Sequence, residues 1–373
     1  MTSEERVEAL LRHTYLATTL GPLRPDERPA AAAGDPRPPR RFRTALTALA
    51  AAGAASAVIA VVVAGNHSGG ATTVQPTTSS ATSRPGLWLV AGWGSGPLVK
   101  IDPATSRVIE TVELDGSNLQ KAVPAFGRLW VTVGQSGPVL SLDPGRGTVE
   151  RTVPLGAATD GLATDGRLVW VAVDDRVVAL DPTTGSRVRS VAVSSNPGGP
   201  GELDFDGAAL WLSMSGLDEV WRIDPGTATV TAKVRVGHTP DHLVFDGRWV
   251  WVGNGRDNTL SRIDPRSATV TATVRLGPAD PAAWVGSPTA MVRVGTQLWV
   301  VHDGGAHGTH LSRVDGTAVT LLDASWPCCT ASAVTDGRHV WFGSDASGTR
   351  VIAVDTTTLA SVSVFSRPYP TPS

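Results

Sequence analysis

The residues best equipped for chemistry are five of the eight histidines: His238, His242, His302, His307 and His310. Asp241, Asn254, Arg256, Asp257 and Asp303 stand close to them in the chain, and Glu202 lies further upstream. Neutral imidazole ligates divalent cations and titrates near neutrality, and a neighbouring carboxylate completes the usual arrangement of a general base. A metal or general-base site is therefore one expectation. The plainer one is that polar loop residues are simply solvated, because the spacing fixes no metal geometry. The sequence holds no zinc spacing, no phosphate-cradling glycine loop and no GxSxG. Catalytic residues and cofactor stay unassigned, and a divalent metal is compatible with the set.

A repeat must position these residues. Residues 241–277 read DHLVFDGRWVWVGNGRDNTLSRIDPRSATVTATVRLG, four short strands with turn residues at every join. In the last strand Val270, Ala272, Val274 and Leu276 alternate with Thr271, Thr273 and Arg275, the period of a strand with one buried face. A Trp within a hydrophobic strand recurs at Trp88, Trp130, Trp170, Trp211, Trp251, Trp299 and Trp341, about every 40 residues, as in propeller blades. After each comes a strand-ending Asp: Asp102, Asp143, Asp181, Asp224, Asp264, Asp315 and Asp355. In five units that Asp precedes Pro; Asp bonds its own turn backbone while Pro fixes φ and stops the strand.

A sheet this small cannot bury its apolar faces alone. Seven of them stacked and closed into a ring leave only short, protected edges. The expected fold is all-β, a seven-bladed β-propeller over residues 86–367, followed by a tail, 368–373. The loop entering a blade's first strand and the loop joining its second and third emerge on one rim. That rim gathers Glu202, His238, Asp241, His242, Asn254, His302, His307 and His310 as a candidate ligand or metal face. Trp93 and Trp284, outside the repeat position, either line the same rim or pack within their own loops, the latter being the plainer reading. Blade 1 opens at LWLVAG without a first strand, and stalk residues Ala71 to Gln75 are expected to fill the gap.

With 40 Gly, 27 Pro and 12 Trp in 373 residues, the composition suits a turn-dense all-β protein. A net charge of −2 offers no basic field, which excludes nucleic acid as a partner. Residues 1–20 suggest a short amphipathic helix and 21–43 a disordered Pro/Arg-rich linker. Thr44 to Gly65 is uncharged over 22 residues, long enough as a helix for about 33 Å and so for a bilayer. Arg37, Arg40, Arg41 and Arg43 precede it and no Lys or Arg follows until Arg84. The positive-inside rule then keeps the N-terminus cytoplasmic and puts the propeller outside, in the cell membrane by one pass. Residues 66–85 form a Ser/Thr-rich stalk.

The unit PDHLVFDGRWVWVGNGRDNTLSRIDPRSATVTATVRLG resembles the YVTN-type propellers. It is also similar to the repeats of streptogramin B (virginiamycin B) lyase and, more distantly, of quinoprotein dehydrogenases. The resemblance covers about three quarters of the chain and implies the fold. For the lyase it implies a His base and a Glu-held magnesium ion over the central cavity, but the strands here read WVGN, WLSM or WVAV where the lyase repeats favour Trp-Phe-Thr-Glu. Adjacent Cys328 and Cys329, in WPCCTASAV, are the only cysteines. Their Cα atoms, about 3.8 Å apart, would make a strained bridge that an oxidising compartment favours. The resemblance to quinoprotein dehydrogenases suggests a ligand-contacting or redox-sensitive turn; a braced loop or two free thiols is the alternative. Three functions follow. One is a non-catalytic module binding an envelope protein or small ligand; the second is an extracytoplasmic lyase or metal-dependent enzyme using the His-rich rim; the third is a purely structural module whose cytoplasmic 43 residues do the signalling.

Overall fold

The computed structural model describes residues 60–61, 86–91, 96–114, 119–134, 137–193, 199–277, 287–303, 308–326, 330–344 and 349–367. These form seven four-stranded sheets, each ordered as the chain runs. Blade 5 shows the pattern: Pro240–Phe245, Val250–Asn254, Thr259–Asp264 and Thr269–Arg275, each antiparallel to the one before. The first strands of successive blades lie side by side, so they form the inner wall around a central axis.

Apolar packing joins each blade to the next. Blade 3 meets blade 4 through Trp170, Leu203, Leu212 and Met214. The ring is sealed by Leu87, Leu89, Val99 and Ile101 of blade 1 against Val334, Trp341, Val351 and Ala353 of blade 7. There Ser332 Oγ also donates to Val90 O at 2.6 Å. The repeat Trp residues are wedges in these seams; six are fully buried and Trp251 is 2% exposed.

The xDG that precedes the Trp has a specific job. In blade 5 one oxygen of Asp246 accepts the Arg248 and Trp249 N–H groups at 2.7 Å each, and the other accepts the Trp251 indole at 2.7 Å. Asp165 holds Trp170, and Asp206 holds Trp211, in the same way. One carboxylate therefore fixes both the hairpin turn and the wedge. The strand-ending Asp caps its own turn as expected, with Asp181 Oδ1 accepting from Thr183 N and Thr184 N.

One expectation is corrected at the start of the ring. The innermost place in blade 1 is taken by Ala60–Val61, running parallel to Leu87–Val90 with Ala60 opposite Trp88 and Val61 opposite Leu89. These two residues were expected in the apolar helix 44–65, and Ala71 to Gln75 in the blade; it is Ala60 and Val61 that enter, and the β-branched Val61 suits a strand. The rest of 44–65, the stalk and Cys328 and Cys329 lie outside the described residues, as do His307, Trp93 and Trp284. Among the described residues no helix is long and apolar enough to cross a membrane.

Candidate functional site

The inner strands of blades 2, 3 and 5 each carry an extra residue near their start. In blade 2 Leu119 pairs with Val133 and Ala122 with Val131, which leaves Gln120 and Lys121 opposite Thr132 alone. Blade 3 sets Asp160 and Gly161 opposite Ala172 in the same manner, and in blade 5 Asp241 is the extra residue. Blade 4 reaches the same arrangement just before its strand: Gly201 N donates to Ser213 O, and Ser213 N to Glu202 O. Such bulges re-aim side chains. Here they put Lys121, Gly161, Glu202 and His242 at one equivalent position, with Gln120, Asp160, Gly201 and Asp241 one step earlier.

The charged members of these positions meet. Lys121 of blade 2 forms an ion pair with Glu202 of blade 4 and also donates to Leu203 O at 3.1 Å. Glu202 Oε2 lies 3.2 Å from His242 Nδ1 of blade 5. All three side chains are buried, and the Lys121 bridge passes over blade 3. Gly161 lets the inner strands of blades 3 and 4 approach closely, since a Cβ there would stand 2.3 Å from Gly201 O and 2.6 Å from Leu203 N. Ser213 Oγ accepts from Glu202 N at 2.9 Å, and Thr132 Oγ1 accepts from Lys121 N at 3.0 Å, so second-strand hydroxyls brace the bulges.

The electrostatics follow from enclosure and pairing. Burial alone would raise the Glu202 carboxyl, but Lys121 and His242 outweigh it and hold its pKa below the ordinary value. Burial likewise pulls His242 down, yet the Glu202 hydrogen bond and the charges of Glu202, Asp241 and Asp160 leave it raised. The pairing thus favours the ionised Glu202 carboxyl and the protonated His242 ring together. Asp160 differs. Burial first, then Glu202, pushes its pKa up to about 7 against the pull of His242 and Lys121. Its carboxylate finds no hydrogen-bond donor among the described residues, and its surface is only half-buried. Asp204, raised mainly by burial, accepts from Phe205 N at 2.8 Å and Phe245 N at 2.7 Å.

The residues expected on one rim are divided by the structure. Glu202 and His242 meet in the cluster, and Asp241 accepts from Ser215 Oγ at 2.5 Å. His238 is exposed, with Nδ1 2.9 Å from Asp257 Oδ1 across the rim. That contact places the loop entering blade 5 beside the loop between its second and third strands, as the sequence implied. Asn254 is a buried brace: it accepts from Gly237 N at 3.1 Å and donates to Thr259 Oγ1 and Ser261 Oγ. His302 and His310 occupy opposed positions on neighbouring strands of blade 6, His302 fully buried. Among the described residues no group of three or more His, Cys, Asp or Glu is arranged to hold a metal ion.

Lys121, Asp160 and Asp204 were not singled out from sequence. The signal was the stretch before each Trp strand, KAVPAFG, GLATDG, ELDFDG and HLVFDG. Aligned on their first paired apolar residue, these put Lys121, Gly161, Glu202 and His242 in one column.

The chain matches no family model and no curated protein by sequence. Its fold is similar to that of solved propellers. Hydrazine synthase of Kuenenia stuttgartiensis aligns with a TM-score of 0.50 at 16% identity, over 61% of this chain and 73% of that one. Dihydro-heme d1 dehydrogenase NirN in complex with DHE aligns with a TM-score of 0.52 at 15% identity, over 72% of this chain and 61% of its own. A Bacteroides caccae protein of unknown function aligns at 0.50 and 14%, over 62% of this chain and 90% of that one. At these identities the likeness shows the fold alone. Fold and cluster together define a seven-bladed β-propeller with a polar inner wall at blades 2 to 5.

Proposed function

We propose that this chain is a membrane-tethered, extracytoplasmic propeller that binds a small polar ligand on the inner wall of blades 2 to 5 without transforming it. One observation carries the reading: charged side chains of blades 2, 4 and 5 occupy equivalent inner positions, where desolvation makes even a paired charge a weak source of stability. The lyase alternative has less support. A base must be neutral to accept a proton, and the hydrogen bond to Glu202 raises the His242 pKa and so favours the protonated ring. His238 has an orienting carboxylate in Asp257, but its side chain is 68% exposed, far from a water-excluded site.

The tether is proposed on the apolar run 44–65 with its preceding arginines. A bilayer helix that included Ala60 and Val61 would have to release them from blade 1, so the two placements exclude each other at those residues. Recovery of the full-length chain in carbonate-resistant membranes, with the propeller digestible from outside, is expected; a carbonate-soluble chain overturns the tether. For binding, the full-length chain in detergent is titrated with putrescine, succinate and glucose as cationic, anionic and neutral probes. A saturable thermal shift with at least one, lost in Glu202→Gln, supports the reading. No shift with any, or consumption of the bound probe seen by mass spectrometry, refutes it.

A further inference from the structure

We infer that the seam between blades 5 and 6 is a docking groove for an acidic β-turn of a partner protein. It lies on the rim opposite the inner-wall cluster and is independent of the binding function proposed above. In the preceding seams the same place is filled from within the ring, by the turn that joins the third and fourth strands of the next blade. At the first seam the Trp88 indole donates to Pro144 O at 3.0 Å and Lys100 Nζ to Gly145 O at 2.9 Å. Arg151 holds Thr183 O and Thr184 O across the second seam, and Arg189 holds Pro225 O and Gly226 O across the third. At the fourth, Ala268 of the blade 5 turn packs into the Trp211 cluster. Blade 6 breaks the series. Only Gly316 and Thr317 lie between its strands Thr309–Asp315 and Ala318–Trp326, against four to six residues at this turn in every other blade. The short turn leaves Trp251 uncovered on that side, and a groove of about 420 Å³ opens instead.

The groove is walled by Trp249, Trp251, Leu298 and Val314, with Arg248 and Arg293 among its polar groups. Its counterpart at the third seam has only about 240 Å³ and is lined by Arg189, whose guanidinium is already bonded to the next turn. The difference is one of placement. In blade 3 the cross-strand row reads Trp170, Ala179, Arg189; in blade 5 it reads Trp251, Arg262, Ala272. The guanidinium has moved back to the third strand, where Arg262 stacks 4.7 Å from the Trp249 ring centre and spends Nε on Thr271. Arg248 stacks 4.9 Å from the same ring. Charge selects the occupant. Asp246 has both oxygens committed to its turn and to Trp251, which leaves the exposed Asp315 against three guanidinium groups, those of Arg248, Arg262 and Arg293. Guanidinium bonds carboxylate more strongly than any neutral acceptor, and Trp and Arg are the side chains that dominate binding where few residues carry it. A turn opening with Asp, like those that close the earlier seams, supplies a carboxylate and a row of carbonyls together.

The chain's own blade 3 turn, LDPTTG, provides the probe as a labelled cyclic peptide, with Asn and Lys versions at the Asp position. Fluorescence anisotropy follows its titration with the full-length chain in detergent. The Asp peptide is expected to bind saturably and about tenfold or more tightly than either other version. Arg248→Glu, a change on an exposed side chain, is expected to weaken that binding about tenfold or more, since it sets like charges against each other. Replacing residues 315–317 by Asp-Pro-Thr-Thr-Gly-Ser restores a long turn and is expected to abolish binding by filling the groove from inside. Near-UV circular dichroism of the tryptophans confirms the fold of both variants. Absence of saturable binding, equal affinity for the three peptides or tighter binding of the Lys version overturns the acidic turn as ligand. Binding unchanged in either variant overturns the groove as its place. Self-association of the chain that the peptide reverses, seen by light scattering, overturns the partner and gives the groove to a second copy.

Discussion

Asp160 is an acid whose folded pKa lies above its unfolded one, so its ionisation opposes folding. With about 7 in the fold against an ordinary 3.8, the cost is absent below about pH 4, grows between pH 4 and 7, and is constant above. Each pH unit of displacement is worth about 1.4 kcal/mol, which sets a ceiling of roughly 4 kcal/mol. Asp160 is only half-buried by area, and solvent reaching it screens the charge, so about 1–2 kcal/mol is the realistic range. Asp160→Asn, nearly isosteric and uncharged, should therefore equal the parent at pH 4 and exceed it by that amount at pH 8. Urea denaturation of both proteins at pH 4, 6 and 8, followed by tryptophan fluorescence, measures the difference. A variant that is less stable at pH 8, or a difference that does not change with pH, would refute the assignment of an unpaired, enclosed carboxylate.

Other substitutions probe the same wall and its supports. Glu202→Gln leaves Lys121 and His242 without their common anion and should cost about 3–5 kcal/mol in denaturant, as for other broken buried pairs. Since the His242 pKa is raised and that of Glu202 lowered, the pair's stabilisation is present above the ordinary carboxylate pKa and is lost as pH rises through the raised His242 value. The Glu202→Gln deficit should shrink on that alkaline side, and a constant deficit across pH 5 to 9 would contradict the pairing. Gly161→Ala drives a methyl into Gly201 O and should cost about 1–3 kcal/mol or more; a melting temperature equal to the parent's would mean the blades can part there. Asp246→Ala removes two turn bonds and the Trp251 indole bond, and at about 1 kcal/mol per bond should cost about 2–3 kcal/mol. Asp315→Ala, on an exposed turn, should cost under about 1 kcal/mol by the same assay, and parity between the two would reject the special role of the xDG carboxylate.

The propeller was readable because its signals are local. Turn chemistry at Asp-Pro and DG, and a Trp at a fixed place in each unit, survive in any window of the chain. The inner-wall cluster was half readable. Glu202, Asp241 and His242 announced themselves as polar residues near an expected loop, but Lys121 was hidden inside a strand. A bulge breaks the period-2 rule on which strand faces are assigned, so nothing in the alternation of LQKAVPA tells that Lys121 reaches a carboxylate 81 residues away. Asn254 misled for the converse reason, since a polar residue at a strand end can be a brace as easily as a ligand. Ala60 and Val61 misled because an uncharged apolar run reads as a bilayer helix by length alone, while the β-branched content of its end was the only hint of a strand.

The seal between the first and last blades has a consequence for biosynthesis. Leu87, Leu89, Val99 and Ile101 meet Val334, Trp341, Val351 and Ala353, partners made about 250 residues later. Until the ribosome has delivered them, an emerging chain presents one bare, greasy flank to its surroundings. Any truncation short of the seventh unit would leave that flank permanently sticky, which makes premature termination far more hazardous for this chain than an internal point change.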